Sequence, residues 1–208
     1  MAYHVVDHPL VAHKLTLLRN KNTGTKDFRV LVGELASILA YEASRGFKLE
    51  ITEVQTPFQK TKGASLTGKK VGIVAILRAG LAMVGGALHQ FPNAKVGHFG
   101  LCRDEKTLKP TQYYARYLDN LDIRNLLIVD PMLATGGTAT RAIDLLKERG
   151  AQNIKLLNII ACKQGVENLM KAHSDVEGFA CAVDPVLNDN GYILPGLGDA
   201  GDRIFGTV

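Results

Sequence analysis

A chain of 208 residues with nearly half its side chains hydrophobic can bury a sizeable core, and its mixed charges exclude a disordered polyelectrolyte. No apolar run approaches the roughly 20 residues that span a bilayer, and the start Met1-Ala2-Tyr3-His4 lacks a cationic stretch followed by an apolar one. Three widely spaced cysteines exclude a disulfide framework and a Cys-x-x-Cys metal pair, and the net charge of +5 suits a small polyphosphate ligand as well as a nucleic acid. A cytoplasmic protein with no membrane partner is expected.

In chain order, Pro9–Arg19 reads as a short helix. Residues 25–46 carry Phe28, Leu31, Val32, Leu35, Ile38 and Leu39, the stripe of an amphipathic helix, with Gly46 as its stop. Pro57, Gly63 and Gly68 among alternating polar residues predict a hairpin or irregular arm over 50–70, where Lys60, Lys62, Lys69 and Lys70 form a modest basic cluster.

The middle is more regular. Val71–Leu77 is a short apolar run, Ala79–Gln90 a buried helix, Val96–Leu101 a strand, and Arg103–Tyr117 a polar stretch. Leu126–Val129 is a strand and Thr138–Arg149 a helix closed by Gly150. Ile154–Ala161, Gly165–His173 and Val176–Val183 give strand, helix, strand. Apolar strands alternating with helices imply an α/β fold with a mostly parallel twisted sheet covered on both faces. The tail 184–208, with Pro185, Pro195 and several glycines, breaks the pattern and predicts a loop-rich, functional segment.

The most specific feature is the run from Ile128 to Thr138. A buried strand ends in Asp130, and the small-residue turn Pro131, Met132, Leu133, Ala134, Thr135, Gly136, Gly137 opens a helix at Thr138. Open α/β sheets bind ligands beyond the carboxyl ends of their strands, and a helix N-terminus offers unpaired N–H groups to an anion. Thr135 and Thr138 can add hydroxyl donors, and Asp130 can accept from sugar hydroxyls. The run is neither a Walker A loop nor a dinucleotide fingerprint. Arg78, after a buried strand and before Ala79 and Gly80, offers a guanidinium fork suited to pyrophosphate, although an isolated Arg there would ordinarily be a surface residue.

These residues carry a resemblance. Val129–Thr138 resembles the phosphoribosyl diphosphate (PRPP) motif of the type I phosphoribosyltransferases, and the pair Asp130-Pro131 resembles the uracil phosphoribosyltransferase branch. The tail Gly191-Tyr192-Ile193-Leu194-Pro195-Gly196-Leu197-Gly198-Asp199-Ala200-Gly201-Asp202-Arg203 resembles that branch's base-binding hood. Ile76–Leu81 is similar to its pyrophosphate loop, and His8-Pro9-Leu10-Val11 with Lys14-Leu15 to its N-terminal pattern.

The resemblance implies a single domain over 1–208: N-terminal helices and arm 1–69, a core of about 70–183, and a C-terminal hood 184–208. It implies PRPP contacts at Arg78, Ala79, Gly80, Arg103, Asp130–Thr138 and Asp199. It implies uracil contacts at Tyr192, Ile193, Gly198, Asp199 and Ala200, with Asp130, Asp199 and Arg103 closest to the chemistry. A flap follows Arg103, with Lys106 and Lys109 as weak phosphate contacts, and the backbone at Arg78–Ala79 is strained or cis. Mg²⁺ is the implied cofactor, held through phosphates and waters with no dedicated protein ligand. A homodimer or larger homo-oligomer and a GTP effector belong to the same implication. Cys102, Gly85 and Val186 depart from the family pattern.

Two other readings stay open at this point: a phosphoribosyltransferase for another base, and a nucleotide-sensing RNA-binding regulator of the same fold. The joint presence of Arg78, Arg103 and the hood favours the enzyme. The six histidines show no metal-site spacing, and His89 and His173 near helix ends read as capping or partly buried residues.

Overall fold

The computed structural model describes residues 3–67, 71–103 and 110–207, with the side chains of Cys102, Arg103 and Pro110 outside that description. The expected flap over 104–109, with Lys106 and Lys109, and the lysines Lys69 and Lys70 fall outside the described residues.

The chain starts with β1 (Tyr3–Val5), α1 (Pro9–Arg19) and α2 (Thr25–Ala43), then a hairpin of β2 (Leu49–Gln55) and β3 (Lys60–Leu66). The core runs β4 (Val71–Leu77), α3 (Leu81–Gln90), β5 (Lys95–Arg103), β6 (Pro110–Arg116), β7 (Asn125–Val129), β8 (Met132–Leu133), α4 (Gly137–Lys147), β9 (Asn153–Cys162), α5 (Lys163–Ala172) and β10 (Glu177–Asp184). The tail forms β11 (Val186–Leu187), β12 (Ile193–Leu194) and α6 (Ala200–Phe205).

The main sheet has the order β1-β10-β9-β7-β4-β5-β6, with β8 also pairing β9. Its pairs are parallel except β5–β6. Alternating residues feed two cores. Ile73, Ala75, Leu127 and Val129 face α1, α2 and α3, while Val74, Ile76, Leu126 and Ile128 face α4 and α5. Each fully buried aliphatic side chain stabilises by about 1.5–3 kcal/mol, so these central strands need no local propensity to hold them. Helices α2 and α3 meet closely, since a Cβ on Gly86 would come 1.9 Å from the Gly33 carbonyl oxygen.

Two segments depart from the sequence expectation. Residues 110–116, within the stretch read only as polar, form an antiparallel edge strand. An edge strand buries little, so polarity is no obstacle, and a leading proline leaves no ladder donor missing. Tyr3–Val5 adds an unanticipated parallel edge strand on β10.

Candidate active site

Strand order brings the expected site together. Asp130 and Arg78 directly follow the neighbours β7 and β4, and Arg103 ends β5, at the same carboxyl edge of the sheet. The loops after β7 and β4 touch. A Cβ on Gly80 would lie 2.4 Å from the Val129 carbonyl oxygen and 2.6 Å from that of Ile76. Only glycine lets the Arg78–Gly80 loop lie this close to the strand that presents Asp130.

Asp130 is half-buried at the end of β7, its own N–H donating to the Leu157 carbonyl at 3.1 Å. Burial pushes its carboxyl up to about 7, partly opposed by the Met132 N–H that bonds it. The following Pro131 has no N–H to leave unpaired. Its carbonyl accepts from both Ile159 and Ile160 at 3.0 Å, and the Asp130 carbonyl accepts from Asn158 Nδ2 at 2.7 Å. The turn is therefore hydrogen-bonded on its sheet side.

Beyond it, a small cavity of about 80 Å³ is lined by Asp130, Met132, Leu133, Ala134, Thr135, Gly136, Thr138 and Ala139. Gly136 caps α4 with φ of 86° and no side-chain cap bond, so the first N–H groups of that helix are left for an anion. Gly137 is the first residue of α4. The loop is braced from behind: Asn168 Nδ2 donates to the Thr135 carbonyl at 3.0 Å, and a Cβ on Gly165 would lie 2.3 Å from the Ala134 carbonyl oxygen.

The Arg78 side chain is largely exposed. A non-proline cis peptide lies at Leu77–Arg78, one bond earlier than the Arg78–Ala79 position that the resemblance implied. Ala79 is half-buried and Gly80 buried. The Arg103 backbone pairs with Pro110, which fixes its place at the sheet edge.

The tail folds over this edge. Ile193, Leu197, Ala200 and Ile204 are buried in the same core cluster as Val129 and Ile160, with Met132 and Ala134 packed against it. Gly198 takes φ of 80°, and Asp199 caps α6 by accepting the Asp202 N–H on Oδ1 at 3.0 Å. The Arg78 guanidinium reaches α6, 3.6 Å from Asp202 Oδ1. Tyr192 is exposed, held through its N–H on Asn188 Oδ1 at 2.9 Å, and is not a core aromatic. The hood, the turn after β7 and the Arg78 loop thus come together at one sheet edge.

Sequence reasoning passed over the residues that hold these parts. Asn158 is fully buried between Asp130 and Tyr3, whose hydroxyl donates to Asn158 Oδ1 at 2.8 Å. A lone Asn in the apolar run of β9 was the available signal. Arg19, Asp184 and Arg203 tie the hood to α1 and gave no local signal. His173 is buried beside α4, with Nδ1 3.2 Å from Lys147 Nζ, whereas His89 is exposed. Gly85 has open space around it, and Val186 pairs with Leu194 in the small hood sheet.

Comparison with known proteins agrees with this geometry. The family model described as uracil phosphoribosyltransferase matches residues 5–207. The chain is 57% identical to the uracil phosphoribosyltransferase of Finegoldia magna over 203 residues, 98% of this chain and 97% of that protein. It is 55% identical to that of Bacillus velezensis, over 98% of both chains. The solved structure of the AQ2163 protein from Aquifex aeolicus superposes with a TM-score of 0.94 at 39% identity, covering 100% of this chain and 99% of that one. Adenine phosphoribosyltransferase from Trypanosoma brucei, at 13% identity and a TM-score of 0.59, shares the fold. On this match along almost its whole length, the chain belongs to the uracil phosphoribosyltransferase family.

Proposed function

We propose that the chain, as one domain over 1–208, transfers the 5-phosphoribosyl group of PRPP to N1 of uracil, giving UMP and diphosphate in uracil salvage. The C1–oxygen bond to diphosphate breaks, the C1–N1 bond forms, and the N1 proton leaves the base. Bond breaking builds positive charge on the ribose C1 and negative charge on the leaving group. No protein nucleophile is required, so the chain's work is positioning and charge stabilisation.

In this reading the amides and hydroxyls of Thr135–Thr138 hold the 5-phosphate and Asp130 accepts from the ribose hydroxyls, while Pro131, Met132, Leu133 and Ala134 shape the turn. Arg78, Ala79, Gly80 and Arg103 receive the diphosphate. Main-chain groups of Ile193, Gly198 and Ala200 read the uracil edge, Tyr192 packs beside it, and Asp199 orients the base or takes its proton. With Asp199 Oδ1 committed to the Asp202 N–H, that part falls to Oδ2. Main-chain recognition discriminates because a wrong base leaves buried polar groups unpaired.

Mg²⁺ belongs to the proposal. The carboxylates along this edge are Asp130, Asp199 and Asp202, the last paired with Arg78, and no group of three metal-ligating side chains stands together among the described residues. That donor set fits an ion carried on the diphosphate with water in its remaining positions. When bound, it neutralises diphosphate oxygens.

A homodimer or larger homo-oligomer is also proposed. The β2–β3 hairpin stands apart from the main sheet and leaves Ile51 77% and Phe58 97% exposed. An isolated two-stranded ribbon is marginal in water, and a second copy would cover it. A cytoplasmic setting is part of the same proposal; no helix among the described residues is long and apolar enough to cross a membrane.

The observation that carries the reading is the convergence of three separated segments, around Gly80, Asp130–Thr138 and Ala200, on one sheet edge. The test is UMP formation from uracil and PRPP with Mg²⁺, with and without GTP, run beside adenine and hypoxanthine. UMP with uracil alone is expected. Folded protein giving no UMP, or faster turnover of a purine, would overturn it, and GTP-insensitive rates would remove the effector.

A further inference from the structure

Arg19, the last residue of α1, reaches 165 positions along the chain to Asp184 at the end of β10. Its Nη1 donates to Asp184 Oδ2 at 2.7 Å and its Nη2 to Oδ1 at 2.6 Å, a two-point fork. The same Nη1 donates to the Gly196 carbonyl at 2.7 Å, while the Gly196 N–H donates to Asp184 Oδ2 at 2.9 Å. One partly buried ion pair therefore holds both main-chain polar groups of a single hood glycine.

Gly196 in turn fixes Ile193. It takes φ of 61°, and a Cβ there would come 2.0 Å from the Ile193 carbonyl oxygen. A second strap runs back from the hood. Arg203 donates to the Leu18 and Leu197 carbonyls at 2.8 and 2.7 Å and to the Asn20 carbonyl at 2.7 Å, and its guanidinium lies 4.3 Å from the Phe28 ring centroid. The C-terminal end of α1 is thus the anchor of the hood.

A partly buried ion pair is weak evidence for stability, because desolvation offsets much of its attraction. A planar fork does supply fixed geometry, and recognition by main-chain atoms has no side-chain rotamer with which to correct a displaced loop. We propose that Arg19 is a positioning residue for base recognition, acting through Asp184 and Gly196 on the Ile193 main chain. The inference rests on the function proposed above.

The test compares Arg19→Lys and Arg19→Met with the unaltered chain by KM for each substrate, kcat and melting temperature. Arg19→Met should raise KM for uracil by about tenfold or more, with KM for PRPP within about twofold. Arg19→Lys, keeping the charge without the fork, should fall between. Equal rises in both KM values, or an unchanged KM for uracil in folded protein, would overturn the assignment. Should the Arg19 variants not fold, Asp184→Asn, which keeps an acceptor for Gly196, is read by the same criterion, and its failure to fold also counts against the positioning role. An unaltered chain inactive with uracil and PRPP sinks the function itself, an outcome distinct from an active enzyme indifferent to Arg19.

Discussion

The Arg78 guanidinium stands 3.6 Å from the Asp202 carboxylate, so the loop after β4 and the hood helix α6 meet at the sheet edge. Both side chains are open to water, and a pair of this kind contributes at most about 1 kcal/mol. Arg78 is therefore dispensable to the fold. Arg78→Ala should leave the melting temperature nearly unchanged and lower kcat/KM for PRPP by about 100-fold or more, as expected for loss of a charge-assisted contact to the leaving group. Arg78→Lys should recover only part of this, since a point charge lacks the two-pronged geometry. Steady-state kinetics with PRPP varied decides, and near-normal rates in Arg78→Ala would remove the residue from the diphosphate site.

Asp130 sets function against stability. Its carboxyl is pushed up to about 7 by burial, against about 3.9 in an unfolded chain. The folded protein therefore binds more protons than the unfolded one between about pH 4 and 7. The contribution of Asp130 to stability is fullest below pH 4 and falls as pH rises through that window. Asp130→Asn cannot ionise, so in the absence of ligand it should melt above the unaltered protein at pH 8, with the gap closing toward pH 4. A rise from about 3.9 to about 7 corresponds to ~4 kcal/mol, and the carboxyl's remaining contact with water puts the gap below that. The same variant should lose at least about tenfold in kcat/KM for PRPP. Calorimetry at both pH values, beside an assay, checks the two signs together.

What the sequence made legible was local. Asp130–Thr138 announces itself because strand, acid, glycines and helix start are contiguous, and two-sided burial shows in the unbroken apolar run of β4 and in that of β9, interrupted after Ile154 only by Lys155 and Asn158. Contacts between distant residues were not legible. The links from Arg19 to Asp184 and from Tyr3 to Asn158 span 165 and 155 positions, and no spacing rule reaches that far. Strand β6 was hidden for a different reason: an edge strand has little buried face to impose a period on its residues. The position of the non-proline cis peptide, Leu77–Arg78 rather than Arg78–Ala79, is a backbone property that side-chain identities do not encode.

Neighbouring glycines in α3 should respond in opposite directions. Gly85 is exposed with nothing within 4 Å of a built Cβ, whereas a Cβ on Gly86 would strike the Gly33 carbonyl oxygen at 1.9 Å. Gly85→Ala should stabilise by about 0.5–1 kcal/mol through helix propensity, with unchanged activity. Gly86→Ala must push α3 off α2 and should destabilise by about 1–3 kcal/mol or more. Thermal melts of the two single variants give the answer, and a destabilised Gly85→Ala would mean the site is more crowded than its surroundings imply.

The hydrogen-bonded column behind Asp130 separates support from chemistry. Asn158 is fully buried, donating to the Asp130 carbonyl at 2.7 Å and accepting from the Tyr3 hydroxyl at 2.8 Å. Burial raises the Tyr3 hydroxyl well above its ordinary pKa, so it stays protonated and a donor. Asn158→Ala orphans two buried groups and opens a cavity, and should destabilise by about 2–4 kcal/mol. With the Asp130–Pro131 turn released, KM for PRPP should also rise. Tyr3→Phe orphans only Asn158 Oδ1 and leaves the bond to Asp130 intact, so it should destabilise by about 1–2 kcal/mol with KM for PRPP near normal. Denaturant melts and PRPP kinetics on both variants distinguish the steps of the column. If Tyr3→Phe raises KM for PRPP as much as Asn158→Ala does, the edge strand β1 is coupled to the phosphate loop, and Asn158 is a relay rather than the end of the support.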